Sequence, residues 1–205
     1  MIYEIIKKEN HKTSEWSGGT TTQLLIYPKE AVYGERNFKW RLSSAKVQIE
    51  ESTFTHLPGI SRIIMILKGE LVLKHENHHS TILRKFDQDS FSGDWNTKSY
   101  GKVTDFNLMM AEGCSGKVEA VEISREETKE IILEKLQSKD YFMLTEVFYC
   151  VSGQVEINEN SGKSFKLNEG DVLSITKGNE ELRNILKFTS IAEKNSEIVR
   201  TIVYY

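Results

Sequence analysis

The stretches RIIMILKGELVLK (residues 62–74) and EVFYCVSGQVEIN (residues 146–158) decide the architecture. Each runs from a charged residue through six further positions to a glycine and then into an alternating strand, so the chain repeats itself. A glycine-aspartate step follows each, Gly93-Asp94 in the first half and Gly170-Asp171 in the second. A further glycine, Gly101 or Gly178, comes eight positions later (101 − 93; 178 − 170). Three landmarks in one order imply two copies of one unit. The gap between the first two landmarks is 24 residues (93 − 69) in the first half and 17 (170 − 153) in the second. A longer hairpin loop through ENHHSTILRKF would produce the difference.

Around these stretches the chain is a series of short β-branched or aromatic runs bounded by Gly, Asn, Asp and Ser, among them LLIY (24–27), WRLSSAKVQI (40–49), DFNLMMA (105–111), KVEAVEI (117–123) and EIVRTIVYY (197–205). Many short strands with turns between them predict an all-β sandwich or barrel. One helix is expected over Ser124–Gln137, where Ser124 and Glu127 have capping-box spacing, although KEIIL fits a strand equally well. No linker divides the 205 residues, and the repeat sets a boundary between 1–115 and 116–205. Net charge is −3 with a pI near 6.0, which argues against a nucleic-acid partner. No apolar run is long enough to span a bilayer, and the charged start MIYEIIKKENHK is unlike a secretory signal. Cys114 and Cys150 lack any paired spacing, which suits a reducing, cytoplasmic setting.

A glutamate six residues before a glycine, a strand, then Gly-Asp and a later glycine resembles the two short motifs of the cupin barrel. The likeness is strongest over 146–181 and extends more weakly over 62–104, so it implies a bicupin of two pseudo-repeated barrels. Metal-dependent cupins carry a His-x-His pair before the glutamate and a further histidine after the last glycine. Here KDYFMLT precedes Glu146, Glu181 stands in the late histidine position, and the first half has Arg62 and Thr104 at the corresponding places. His56 alone lies near a ligand position, and Pro58 fills its partner's place. One imidazole beside a guanidinium does not make a divalent-metal site. No metal and no cofactor are therefore expected in either barrel.

A closer resemblance is carried by WSGGTT (16–21), WRLSSA (40–45), FTHLPGISR (54–62), FSGD (91–94) and DFNLM (105–109), in that order. These blocks resemble the HutD/Ves family of cupin-fold proteins. Relatives usually have an extra residue in the glycine stretch and an Arg-Glu pair where this chain has Thr22 and Gln23. The resemblance implies a small-molecule binder associated with histidine utilisation, without a well-established catalytic activity.

Alternation places a pocket. In WRLSSAKVQI the set Arg41, Ser43, Ala45, Val47, Ile49 shares one face, grading from polar to apolar, and is expected inside. Arg62 at the barrel centre would be a buried cation that needs a partner, either Asp105 or Asp94 or an anionic ligand. Asp105, Asn107 and Met109 share a face, and Asn107 offers a donor and an acceptor. The candidate ligand-binding residues are thus Thr20, Thr21, Arg41, Ser43, Arg62, Asp105 and Asn107, and the expected partner is a small polar or anionic metabolite. Trp16 and Trp40 are expected in the core. His75, His78 and His79 are expected on a solvated hairpin with no ordered site. Two other readings stay open. A metal-independent isomerase or epimerase would use Asp94, Asp105 or His56 as acid or base. Alternatively, the second half serves assembly, its apolar strands EVFYCV and IVRTIVYY pairing between subunits in a homo-dimer.

Overall fold

A computed structural model describes residues 1–136, 140–178 and 184–205. Glu181 and Gln137 lie outside the described residues. The chain divides into two compact units, residues 11–114 and residues 1–10 with 115–205. The first strand, β1 (Ile2–Ile6), belongs to the second of these.

The 11–114 unit holds β2 (Lys12–Trp16), β3 (Gly19–Tyr27), β4 (Trp40–Val47), β5 (Glu51–Thr53), β6 (Ser61–Lys68), β7 (Leu71–His75), β8 (Ser80–Leu83), β9 (Gln88–Ser92), β10 (Thr97–Tyr100) and β11 (Thr104–Met110). They form two antiparallel sheets, ordered β2-β3-β4-β11-β6-β9 and β5-β10-β7-β8. Inward positions of β6, β7 and β9 supply Ile64, Ile66, Leu71, Leu73 and Phe91 to one buried cluster. Period-two patterning thus closes the apolar end of this unit. The arginine strand β6 is buried on both faces beyond Arg62, since Met65 and Leu67 are as enclosed as Ile64 and Ile66.

The other unit adds β12 (Ser115–Ile123), β13 (Thr128–Ile132), β14 (Leu144–Ser152), β15 (Gln154–Glu159), β16 (Ser164–Asn168), β17 (Val172–Lys177), β18 (Ile185–Ser190) and β19 (Ser196–Tyr204). Its sheets are β1-β17-β14-β19-β12 and β13-β18-β15-β16. A core of Phe148, Phe188, Val155, Ile157, Leu173, Ile175 and neighbours fills it. Sequence division at 115 sets the first ten residues with the N-terminal half, but β1 pairs antiparallel with β17, Ile2 opposite Thr176. Three expectations need correction here. The segment after Ser124 forms β13 paired with β18 instead of a helix, because Ile131 fills the core at strand spacing. EVFYCV and IVRTIVYY lie in β14 and β19, each flanked on both sides within its own sheet, so neither has a free edge for a second subunit.

The third correction concerns the repeat. Gly93-Asp94 follows β9, whereas Gly170-Asp171 precedes β17, so the two are not equivalent. Arg62 faces Phe91 across β6 and β9, and Glu146 faces Ile175 across β14 and β17. The offset of 84 that relates Arg62 to Glu146 (146 − 62) also relates Gly69 to Gly153, Phe86 to Gly170 and Asp87 to Asp171. Phe86 has φ 67° and Gly170 φ 90°. The backbone N–H of Phe86 donates to Ile66 and that of Gly170 to Cys150, again 84 apart. Asp87 and Asp171 each accept the N–H three residues earlier, from Arg84 and Asn168. A phenylalanine in the left-handed region hides the first copy of the glycine landmark, and the apparent difference in loop length disappears.

The pair Gly18-Gly19 has a packing reason. A Cβ on Gly18 would collide with the Trp16 ring, and one on Gly19, at φ 151°, with the Lys46 carbonyl. Gly19→Ala should cost about 2 kcal/mol, the scale of a left-handed non-glycine with a backbone clash. Denaturant unfolding measures it; an unchanged midpoint would show that the close approach is unimportant.

Candidate functional site

Strands β3, β4, β6 and β11 and the loop around residue 54 enclose a cavity of about 310 Å³ in the 11–114 unit. The lining follows alternation. From β4 come Arg41, Ser43, Ala45 and Val47, from β11 Asp105, Asn107 and Met109, from β6 Arg62 and from β3 Thr21. Register sets Ser43 opposite Asn107 and Met109 opposite both Arg41 and Arg62. Of the seven candidates, all but Thr20 line this cavity. Thr20 falls on the opposite face of β3, where its neighbour Thr21 faces in. Thr22, also on that other face, shares a hydrogen bond with Thr13 at 2.8 Å. Trp16, expected in the core, is 39% exposed and lines the cavity, while Trp40 is buried and stacked on Tyr27. Ile49 lies beyond the end of β4 and is exposed.

The two guanidiniums differ in how they are held. Arg41 donates from Nε to Gln23 Oε1 at 2.9 Å and from Nη1 to Ser43 Oγ at 3.1 Å, with its guanidinium 4.3 Å from the Tyr33 ring centre. Gln23, a neutral side chain, thus holds Arg41 without neutralising it. Arg62 is 5% exposed and makes no hydrogen bond or ion pair among the described residues. Its guanidinium rests between the rings of Phe54 and Phe91, at 4.7 and 5.1 Å. Burial lowers its pKa to about 10, which leaves it a cation at neutral pH. Neither expected carboxylate pairs with it. Asp94 is exposed and occupied by Ser92 and the Gly59 N–H, which hold it below the usual carboxylate range. Asp105 is buried, accepts a bond from the Ala45 backbone and is pushed up to about 7 by desolvation, against the pull of Arg62. The Asn107 carboxamide oxygen is also buried without a donor among the described residues. Tyr33 and Phe54 were not legible as site residues, since both lie outside the barrel strands whose alternation signals the cavity.

The other unit shows how the same positions look when satisfied. Ladder register makes Glu146 the counterpart of Arg62, Arg200 of Asn107, and Glu119 of Ser43. There Glu146 is fully buried and accepts from Arg200 Nη2 at 2.6 Å and Nε at 3.0 Å, from Lys177 Nζ at 3.4 Å and from the Glu134 N–H. Arg200 also reaches Glu119 at 3.3 Å. Carboxylates stand beside those cations; in the cavity the same positions carry Arg62 and Ser43.

No histidine lines the cavity, and guanidiniums cannot ligate a cation, so the barrel does not fit the divalent ion that metal-dependent cupins hold. The Glu146–Arg200–Lys177 cluster does not fit one either, since its carboxylate is already committed. His56, exposed and 3.1 Å from the Asp94 carbonyl, lies outside the cavity. The KHENHHS histidines are more ordered than expected. His75 is buried on β7, His78 stacks on Trp95 at 3.7 Å, and His79 meets Asp89. Cys150 is buried, and desolvation pushes its thiol up to about 12, so it is unreactive.

The HutD family model matches residues 8–192. No curated protein matches the chain in sequence. Among solved structures, PA5104 from Pseudomonas aeruginosa PAO1, a conserved protein of unknown function, has a TM-score of 0.80 at 21% identity, covering 99% of both chains. HutD from Pseudomonas fluorescens SBW25, in a formate condition, has a TM-score of 0.70 at 20% identity, covering 98% of both. An oxalate decarboxylase from Lactobacillus farciminis, a formate complex, has a TM-score of 0.67 at 9% identity, covering 98% of this chain and 85% of that one. At these identities the likeness speaks for the fold alone, a doubled cupin-type β-barrel.

Proposed function

Since the chain belongs to the HutD family, we propose that it binds a small carboxylate-bearing metabolite between Arg41 and Arg62 and, through that binding, regulates histidine utilisation in the cytoplasm. One observation carries this reading: Arg62 is a buried cation with no hydrogen-bond or ion-pair partner among the described residues, its Nε fully enclosed and unsatisfied. Leaving such a group unpaired costs several kcal/mol, and a planar carboxylate matches the guanidinium fork. Asn107 and Ser43 stand opposite each other to orient the rest of the ligand, with Thr21 on the adjoining strand. The formate complex of the oxalate decarboxylase neighbour accords with carboxylate recognition in this fold. The partner is a metabolite rather than a nucleic acid or a membrane. The described residues contain no helix long and apolar enough to cross one.

A thermal-shift screen of histidine-pathway intermediates and related mono- and dicarboxylates tests the reading, because a ligand preferring the folded state raises Tm by mass action. No shift from any carboxylate at millimolar concentration would refute it.

Asp105 adds a pH signature. Its folded pKa of about 7 lies above the unfolded value, so it takes up a proton as pH falls from 8 to 6, and the cavity gains positive charge. Anion affinity should rise over that interval by about fivefold. By the same linkage, the contribution of Asp105 to stability falls as pH rises through 7. Asp105→Asn should flatten both dependences, and titration calorimetry at pH 6 and pH 8 checks the first. Weaker binding at pH 6 would contradict it. The acid-base alternative retains only Asp105 from its candidates, since Asp94 and His56 do not line the cavity.

A further inference from the structure

The KHENHHS hairpin and β9 bring three ligand-type atoms together at a place separate from the cavity. His75 Nε2 lies 2.9 Å from Asp89 Oδ2, and His79 Nε2 lies 3.0 Å from the same oxygen. We propose that His75, His79 and Asp89 form a zinc-binding site, with solvent completing the coordination.

Local structure explains how the residues meet. Asn77, at φ 61°, turns the hairpin between β7 and β8, and the His75 N–H donates to the His79 carbonyl at 2.9 Å. That turn folds the His79 ring back to 4.6 Å from the His75 ring. His78 is held away from the cluster by its stack on Trp95. Asp89 arrives from β9, in the opposite sheet of the same unit. Its Oδ1 accepts the Ser90 N–H at 3.0 Å, which orients Oδ2 toward the two imidazoles.

The surroundings of His75 favour a ligand. Thr97 Oγ1 sits 2.8 Å from His75 Nδ1 and fixes the ring with Nε2 toward Asp89. Nε2 faces the Asp89 carboxylate at 2.9 Å, where a proton or a metal ion can bridge the two. A second partner on the far nitrogen is how metal-binding histidines are commonly fixed in one tautomer.

Two imidazoles and a carboxylate form a three-ligand set for zinc with an open position. All three atoms lie within 4.8 Å of one another. Tetrahedral zinc at about 2.1 Å separates its ligands by about 3.4 Å, so the observed spacings need only open slightly. His75 is buried, while His79 is 42% exposed and leaves an approach for ion and water. The ion would tie the β7–β8 hairpin to β9, joining the two sheets of this unit at their rim.

The test uses the untagged, EDTA-stripped full chain. Calorimetric titration with zinc should show one equivalent, and zinc at a hundredfold excess over Kd should raise Tm by about 5 °C. His79→Ala and Asp89→Asn, both at partly exposed side chains, should each weaken zinc at least about tenfold. His78→Ala should retain binding. Cobalt in place of zinc should give the intense visible bands of a four-coordinate nitrogen-oxygen site, which vanish in Asp89→Asn. Absence of zinc binding by the parent protein, parent-like affinity in either ligand variant, or equal loss in His78→Ala would overturn the proposal. Each variant is compared by circular dichroism in EDTA, so loss of binding is read only on folded chains.

Discussion

Arg62→Met is expected to abolish the carboxylate-dependent rise in Tm and at the same time to make the ligand-free protein more stable. The two effects share one cause. Arg62 is buried against Phe54 and Phe91 with no hydrogen-bond or ion-pair partner among the described residues. A methionine of similar length keeps the contact with both rings and removes the desolvated charge. Relief of such a charge is worth on the order of 2 kcal/mol after allowing for the lost cation-π attraction, or roughly 5 °C in Tm. Loss of a buried charge-assisted contact should weaken the ligand by about 100-fold or more. Melts with and without ligand separate the two effects. A less stable free protein, or a full ligand shift in the variant, would mean that Arg62 is braced by the fold rather than held open for an anion.

Arg200→Met should do the opposite in the other unit. Arg200 contacts Glu146 at 2.6 Å, and removing it leaves a fully enclosed carboxylate with Lys177 at 3.4 Å as its remaining cation. Breaking one side of a buried pair costs about 3–5 kcal/mol, so Tm should fall by roughly 10 °C. Adding Glu146→Gln removes the stranded charge and should restore much of the loss. If the single variant melts like the parent, solvent reaches Glu146. The two buried arginines thus give opposite signs: the cation of one barrel is a cost carried for a ligand, and the cation of the other is part of a closed network.

Alternation made the cavity legible. WRLSSAKV could be assigned an inward face because β4 is long and regular, and beside Arg62, set by its place in the repeat, Arg41, Ser43, Asp105 and Asn107 came from alternation. It failed at Thr20, where the choice between adjacent threonines depends on how the hairpin register is set, and that is fixed by the Trp16–Gly19 pairing rather than by the threonines. Tyr33 and Phe54 sit outside regular strands, so no periodicity points to them. The repeat was visible from Gly69 and Gly153 but misaligned at the second landmark, since Phe86 adopts the backbone conformation that a sequence advertises only through glycine. His75 could not be read as buried: whether a hairpin ends before or after it depends on Asn77 turning the chain. The partner of Arg62 was left as a choice between carboxylates and a ligand, and only distances could remove the carboxylates.

The pairing of β1 with β17 bears on how the chain is made. As it leaves the ribosome, residues 11–114 emerge with every strand of their two sheets and are able to close at once. The strand before them has no such neighbour: Ile2 must wait for Thr176 to be translated before it can be zipped into place. Closing this sheet is therefore a long-range step, the kind of contact that slows folding, and until β17 has been made the isoleucine-rich β1 is available to chaperones.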